Sequence, residues 1–255
     1  MSLTDEGRAL HARCTQTIAD LEGALDALAG RQDEPRGVLR MTVPDAYGRH
    51  RVLPVLARFL TAWPGLEAEV SFSDRLADVI AESFDLALRF GYVPRSEELI
   101  SRVVTRIRAS LYASPDYLAR HGEPRTLEDV PRHECLQFFP RDRRQPWYLR
   151  SASGEPVELE TRSRVRFDSA EALRDAAAAG LGIAQLPDFL TGQHLANGRL
   201  RRILEAHERE PAPLFAIYPT RKHLASRVRL FIDRLVSAEQ ATAVSPAPSG
   251  RDGVP

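Results

Sequence analysis

The sequence has little cysteine and almost no lysine. Its 255 residues include two cysteines, Cys14 and Cys135, which lie far apart and lack the spacing of metal ligands. This excludes a dense disulfide framework and gives no indication of a metal site. Lys222 is the only lysine, and 35 basic residues balance 35 acidic ones, so the formal net charge is zero. A neutral chain has no overall electrostatic attraction to nucleic acid or to a membrane surface.

Long apolar runs and catalytic motifs are also missing. No apolar run approaches the ~20 residues that a membrane-spanning helix needs. Charges such as Asp5, Glu6 and Arg8 interrupt the first residues, unlike the apolar core of a secretory signal peptide. The sequence lacks a G-x-S-x-G elbow, a P-loop and an H-E-x-x-H zinc motif. We therefore expect a cytoplasmic protein that is not an enzyme and needs no cofactor.

Residues 3–30 predict one long helix. Apolar residues recur at steps of three and four and form a single stripe, made of Leu10, Cys14, Ile18, Leu21, Leu25 and Leu28. Thr4 is a suitable N-cap, and we expect the helix to end near Gly30. A helix that is apolar on only one stripe needs a partner. The stripe either packs on its own domain or pairs with a second copy, and the polar linker that follows favours a dimerisation helix.

After this linker, strand and helix patterns alternate. Strands are predicted over 37–43, 66–73 and 85–91, with helices over 50–65 and 75–84 between them. This βαβαβ order predicts a parallel sheet with crossover helices. A strand over 102–114 and a short helix over 115–122 lead into a second α/β unit. That unit has strands over 134–139, 146–150, 182–187, 199–204 and 213–219, a strand pair or one long strand over 157–167, and helices over 168–182, 188–198 and 226–238.

Two strand-to-helix junctions carry the best-placed polar residues. In an open α/β sheet, ligands bind beyond the carboxyl ends of strands, where helix N-termini are exposed. One junction is “TVPDAYGR” (42–49), which offers Asp45 and Tyr47, and the other is “FDSAE” (167–171). The alternative is that Asp45 and Asp168 only cap helices, with Ser169 as a second candidate for the cap of the helix over 168–182. By contrast, “GLGIA” (180–184) follows a helix and precedes a strand, so it predicts a helix end and tight packing and not a dinucleotide site.

Several segments, in order, resemble the LysR-type transcriptional regulators over roughly residues 3–238. These segments are “LTDEGRAL” (3–10), “PRGVLRMTVPDAYGRHRVLPVLARFLTAWPGLEAEVSFSDR” (35–75), “DLALRFG” (85–91), “LYASPDYLARHGEPRTLEDVPRHECL” (111–136), “ALRDAAAAGLGIAQLPDFL” (172–190) and “LFAIYPTRKHLASRVRLFIDRL” (214–235). The resemblance implies an α/β fold of two subdomains, of the type II periplasmic-binding-protein kind, preceded by a linker helix. It implies subdomain I over 36–113 and 217–238 and subdomain II over 114–216, joined by strands near 111–114 and 215–219. Residues 239–255 are rich in Ala, Pro, Ser and Gly and are expected to be disordered.

The resemblance also implies a small-molecule effector bound in the cleft between the lobes. The positions that match the family's binding residues are Pro44, Asp45, Tyr47, Arg89, Phe90, Phe167, Asp168 and Ser169. An ionised Asp45 would repel an anion, so the sequence disfavours a simple carboxylate effector.

The expected function is effector sensing and oligomerisation in a LysR-type regulator, as a homodimer or homotetramer and without a membrane. The family reads DNA through an N-terminal winged helix-turn-helix, which the sequence does not show before residue 3. We expect this segment to be missing from an incomplete start, so DNA binding would need it. The alternative is a free-standing cytoplasmic small-molecule-binding protein of the same fold without DNA binding. An enzyme on this fold is disfavoured by the missing catalytic constellation.

Overall fold

The computed structural model describes residues 34–75, 78–91, 96–139, 146–161, 163–220 and 224–244, together with residues 4, 7, 14 and 17. These residues form two compact units. Unit 1 holds the described residues up to Thr105 and from Pro213 onward, and unit 2 is Arg106–Ala212. Unit 2 is therefore one continuous segment, whereas unit 1 is built from two.

Three strands of unit 1 are parallel, as the sequence predicted. β1 (Gly37–Val43) lies between β2 (Leu66–Phe72) and β3 (Leu86–Phe90), and both neighbours run parallel to it. Leu39 and Met41 alternate along β1 and are fully buried, because side chains at every second position point to the same face of a sheet.

The connection from β1 to β2 is helical from Asp45 to Ala62 and so starts earlier than the predicted residue 50. It consists of α1 (Asp45–Tyr47), a π-helical turn (Gly48–Val52) and α2 (Leu53–Ala62). A Cβ at Gly48 would lie 2.5 Å from the Val43 side chain. Glycine therefore lets this helix approach β1 closely, and Gly48 itself has helical backbone angles, φ −55° and ψ −49°.

The predicted helix over 75–84 is wrong for the part of this segment that the structure describes. Asp78 accepts hydrogen bonds from the backbone N–H groups of Ile80 and Ala81, which begins a single helical turn. The turn ends at Ser83, whose φ of 57° is left-handed. The side chain of Ile80 remains 42% exposed, so no apolar stripe holds a longer helix against the sheet.

The strand signal over 102–114 splits into two strands that belong to different sheets. β4 (Leu99–Ile107) joins the sheet of unit 1, and β5 (Ala109–Ala113) joins the sheet of unit 2. The chain thus leaves unit 1 near residue 106 and returns at residue 213, rather than at the expected 114 and 217. An uninterrupted strand pattern carries no mark of the position where the chain changes sheet.

The sheet of unit 2 is buried on both faces. Its order is β11 (Arg201–Ile203), β5, β10 (Ile183–Pro187), β6 (Cys135–Phe138) and β9 (Arg166–Phe167). Leu111 of β5 packs in one core cluster, and the next residue, Tyr112, packs in another. This alternation places apolar side chains on both sides of the sheet.

The helices of unit 2 have clear sequence signals at their ends. α3 (Pro115–His121) starts after Ser114, whose Oγ accepts a hydrogen bond from Tyr117 N at 3.1 Å. α4 (Ala170–Ala178) is followed by Gly180 with φ 79°, as expected for a helix end. A Cβ at Gly182 would collide with the Glu134 carbonyl, so the predicted tight packing of “GLGIA” is confirmed.

Two predictions for unit 2 are corrected in detail. The segment predicted as a strand or strand pair over 157–167 supplies β8 (Pro156–Leu159) and β9, which lie in different sheets. β8 pairs antiparallel with β7 (Trp147–Arg150). The predicted helix over 188–198 is a 3₁₀ turn followed by the short α5 (Gly192–Ala196).

Unit 1 is completed by β12 (Ala212–Pro219) and α6 (Ser226–Val244). β12 is antiparallel to β3 and lies between β3 and β4. Phe231 of α6 is fully buried and packs its ring on Phe59 of α2, with ring centroids 5.5 Å apart. α6 continues past residue 238, so the expected disordered tail does not begin there. The reason is local, since Ala, Glu and Gln at 238–241 are good helix formers.

Candidate functional site

Arg89 lies buried at the end of β3, with 5% of its surface exposed. Its guanidinium reaches β1, where Nη2 donates to Thr42 Oγ1 at 2.8 Å and Nη1 donates to the Thr42 carbonyl at 3.2 Å. Nη1 also donates to the Leu88 carbonyl, at 2.6 Å. Burial lowers the pKa of Arg89, and the charge of Asp74 partly offsets this effect. In the described residues the buried Nε has no hydrogen-bond partner, so one donor of the guanidinium is unsatisfied.

Asp45 lies two residues after the end of β1 and forms an ion pair. Its Oδ1 accepts from Arg49 Nε at 3.0 Å, and its backbone N–H donates to Asp74 Oδ2 at 3.4 Å. The N-cap position is Pro44, which has no side-chain hydrogen bond, so the alternative of Asp45 as a side-chain cap is wrong. Pairing with Arg49 also weakens the repulsion between Asp45 and an anion, which was the reason to disfavour a carboxylate effector.

Tyr47 packs in the core at this end of the sheet. It is fully buried, and its ring meets Phe90 edge-on with ring centroids 5.7 Å apart. Burial raises the pKa of Tyr47, and the neighbouring Glu239 carboxylate raises it further. Pro44 is also buried, whereas Phe90 is partly exposed. The five predicted residues of unit 1 therefore lie at the carboxyl ends of β1 and β3, with Tyr47 beneath the surface.

The three predicted residues of unit 2 have different roles. Ser169 is the N-cap of α4, and its Oγ accepts from Ala172 N at 3.3 Å. Asp168 is exposed and does not cap the helix, because its neighbour Ser169 is the N-cap. Phe167 pairs with Phe138 between β9 and β6 and packs partly buried on the core around Leu173.

A second polar cluster in unit 2 was not predicted. It lies where β10 ends, and Asp188 is its centre. Asp188 Oδ1 accepts from Tyr112 Oη at 2.8 Å and from Ser110 Oγ at 3.2 Å, and Oδ2 accepts from Arg202 Nη2 at 3.2 Å. Burial raises the pKa of Tyr112 and Asp188 adds to this rise, although hydrogen bonds from Thr191 and Arg202 act in the opposite direction.

The sequence did contain a signal for this cluster. “VPD” (43–45) and “LPD” (186–188) both follow buried strands. The two prolines, Pro44 and Pro187, have nearly the same backbone angles, φ −57° and ψ 136° against φ −65° and ψ 139°. The same junction rule that selected Asp45 thus applies to Asp188.

Most of the predicted dimerisation stripe lies outside the described residues, namely Leu10, Ile18, Leu21, Leu25 and Leu28. Of the stripe, Cys14 is described, and it is helical and exposed. Thr4 Oγ1 accepts a hydrogen bond from Gly7 N at 3.1 Å, which agrees with its prediction as an N-cap.

Neither a membrane span nor a metal centre is found in the parts of the chain that the structure describes. No helix there is long and apolar enough to cross a bilayer. The His, Cys, Asp and Glu side chains of the same residues form no group of three or more that could hold a metal ion.

The chain crosses between its two α/β units twice, near residues 106 and 213. Two α/β units connected in this way are the architecture of the periplasmic-binding-protein type. Residues 32–240 match the LysR substrate binding domain. The chain therefore belongs to the LysR family of transcriptional regulators.

Relatives agree with this assignment. An uncharacterised HTH-type transcriptional regulator of Haemophilus influenzae is 32% identical over 225 residues, which are 88% of this chain and 77% of the relative. The regulator PtxR of Pseudomonas aeruginosa is 30% identical over 236 residues, 92% of this chain and 75% of PtxR.

Solved structures show the same fold. CrgA from Neisseria meningitidis, a LysR-type transcriptional regulator, is similar with a TM-score of 0.70 and 29% identity, over 92% of this chain and 80% of CrgA. The full-length virulence activator AphB of Vibrio cholerae gives a TM-score of 0.71 and 26% identity, over 94% of this chain and 81% of AphB.

Proposed function

We propose that this protein senses a small molecule between its lobes and passes the signal to DNA as an oligomer. The observation that carries the proposal is the buried Arg89, whose Nε donor lacks a partner at the end of β3. Most buried donors in folded proteins are satisfied, so an unsatisfied one at a strand end, where ligands bind in open α/β sheets, supports a ligand position there. The names of the relatives, which are transcriptional regulators and not enzymes, support regulation as the purpose of sensing.

The residues have distinct roles in this proposal. Arg89 and Asp45 contact the effector from unit 1, and Asp168 and Ser169 contact it from unit 2. Pro44, Phe90 and Phe167 shape the apolar wall, while Tyr47 holds Phe90 in place through its edge-on contact.

The effector carries both a hydrogen-bond acceptor and a donor. Its acceptor meets Arg89 Nε, and its donor meets the carboxyl groups of Asp45 and Asp74. Asp74 lies beside Asp45, since its Oδ2 accepts the Asp45 backbone N–H, and burial raises the pKa of Asp74. A hydroxy acid or an amino acid fits this pattern better than a simple carboxylate.

Regulation follows from a population shift. An effector that binds one arrangement of the regulator better than another shifts the equilibrium between them by its difference in affinity. The stripe over residues 3–30 pairs two subunits, and a winged helix-turn-helix on the full regulator reads DNA in the cytoplasm. Light scattering tests the pairing, and a mass of at least two chains is expected.

The site is tested by a thermal-shift screen of hydroxy acids, amino acids and sugars against the 255-residue chain. A binder raises Tm in proportion to RT ln(1 + [L]/Kd). We expect Asp45→Ala and Asp168→Ala to reduce that shift. Asp116→Ala is the matched control, since Asp116 also follows a strand and a proline but lies outside the proposed site. If the binder raises Tm equally in all three variants, it binds elsewhere, and Asp45 and Asp168 do not contact it.

A further inference from the structure

A groove with a volume of about 600 Å³ lies along α2 and α6 in unit 1. Its apolar wall is formed mainly by Val55, Phe59, Ala62, Ala238 and Ala241. Val55 and Phe59 are at least nine-tenths buried, so they form a fixed floor and are not mobile side chains at the rim. The volume falls in the range of small-molecule sites, roughly 300–1,000 Å³.

The groove is rich in arginine. Arg51, Arg58 and Arg234 line it, together with His50 and a single acid, Glu239. In the portion of the chain that the structure describes, none of these three arginines forms an ion pair, and Arg58 Nε donates a hydrogen bond to the Pro54 carbonyl at 3.2 Å. The nearby Asp233 is already paired, with Arg102 Nη1 at 2.7 Å. The local charge is therefore positive in a chain whose formal net charge is zero.

The acid in the groove does not cancel this charge at the surface. Glu239 is 7% exposed and lies beside the buried Tyr47 hydroxyl. Arg58 and Arg234, in contrast, are exposed. An anion entering from solvent thus meets two guanidinium groups first and an apolar floor beneath them.

We propose that this groove binds a small organic anion with an apolar body, at a position separate from the strand-end site. The anionic group, a carboxylate, sulfonate or phosphate, pairs with Arg58 and Arg234. Guanidinium groups bind such anions through paired N–H donors, and the apolar body covers Val55 and Phe59. An inorganic anion lacks the apolar body and binds more weakly.

Two fluorescent probes separate charge from apolar contact. 8-Anilinonaphthalene-1-sulfonate carries the anion, and N-phenyl-1-naphthylamine has the same aromatic body without it. Each is titrated into the full 255-residue chain and into the double variant R58Q/R234Q. The exposed Arg132, which lies in unit 2, provides the control variant R132Q for the loss of a surface charge away from the groove. Melting curves confirm that each variant is folded, since molten states also bind these dyes.

We expect the double variant to bind the sulfonate dye at least about tenfold more weakly than the wild type, while R132Q binds it unchanged. The neutral dye should bind all three proteins equally and more weakly. Ala62→Trp, which fills the groove, should weaken the binding of both dyes. No saturable binding of the sulfonate dye by the wild type, or equal affinity in the wild type and the double variant, would overturn the proposal.

One more variant separates this site from the strand-end site. Asp45→Ala leaves the groove intact and should keep the sulfonate dye affinity of the wild type. If dye binding responds to Asp45→Ala and not to R58Q/R234Q, the dye occupies the strand-end site and the groove proposal fails, whatever the outcome for the proposed function.

Discussion

The Tyr112 hydroxyl donates a 2.8 Å hydrogen bond to Asp188 Oδ1, and this bond ties β5 to the end of β10. Asp188 also accepts from Arg202 and from Ser110, so one carboxylate satisfies three donors. A hydrogen bond to a charged group contributes about 1.5–3 kcal/mol to the free energy of unfolding. Asp188 is accordingly a structural centre of unit 2, whereas Asp168 at the other junction is exposed.

We predict that Asp188→Ala lowers the free energy of unfolding by about 2 kcal/mol, because it removes a charged acceptor from Tyr112 and Arg202. Asp168→Ala should change it by less than about 0.5 kcal/mol, as expected for an exposed side chain. Urea denaturation followed by circular dichroism measures both. Similar losses in the two variants would contradict the central role of Asp188.

Gly182→Ala should destabilise unit 2 by about 1–3 kcal/mol, the usual range for an overpacked site. The new methyl group would collide with the Glu134 carbonyl, and a backbone atom cannot move aside without disturbing β6. Gly192→Ala is the control, because nothing lies within 4 Å of a Cβ there. Thermal melts of both variants test this, and an unchanged Tm for Gly182→Ala would show that the sheet can shift.

The two cysteines should differ in reactivity. Burial raises the pKa of Cys135 to about 12, and its thiol is inaccessible, whereas Cys14 is exposed. Because the thiolate is the reactive form, a disulfide reagent at pH 8 should modify one thiol in the native protein and two in guanidinium. The Cys14→Ser variant should then react only after denaturation. Rapid native labelling of that variant would contradict the burial of Cys135.

Asp74 should make the protein less stable as the pH rises. Burial raises the folded-state pKa of Asp74, so the folded chain binds its proton more tightly than the unfolded chain does. Stability is then lost as the pH increases from the ordinary aspartate pKa through the raised one. Asp74→Asn should flatten this part of the profile and raise Tm at neutral pH. A steeper decline in the variant would show that ionised Asp74 stabilises Arg89.

The sequence predicted well those elements whose pattern repeats over several residues. The alternation in 37–43 and 66–73 matches β1 and β2, and the helix patterns over 115–122 and 168–182 match α3 and α4. A local pattern is enough to predict these elements, because the residues that form each strand or helix are also the ones that it buries.

The failures share a cause, which is that the deciding contact is distant in sequence or is an unusual backbone angle. Over 75–84 the sequence predicted a helix, but the described residues form one turn, which ends at Ser83, whose φ of 57° is left-handed. The change of sheet between β4 and β5 leaves no local mark. Asp188 was missed because its partners, Tyr112 and Arg202, come from strands far away in the chain.

The order of the strands has a consequence for synthesis on the ribosome. Unit 2 is a continuous segment that ends at residue 212, so it can fold as soon as it has emerged. In the sheet of unit 1, β12 lies between β3 and β4. These two strands therefore cannot join one sheet until β12, which ends at residue 219, has been synthesised. Unit 1 starts first along the chain and is completed last, so a nascent chain paused once residue 212 has emerged would hold a folded unit 2 and an incomplete sheet of unit 1.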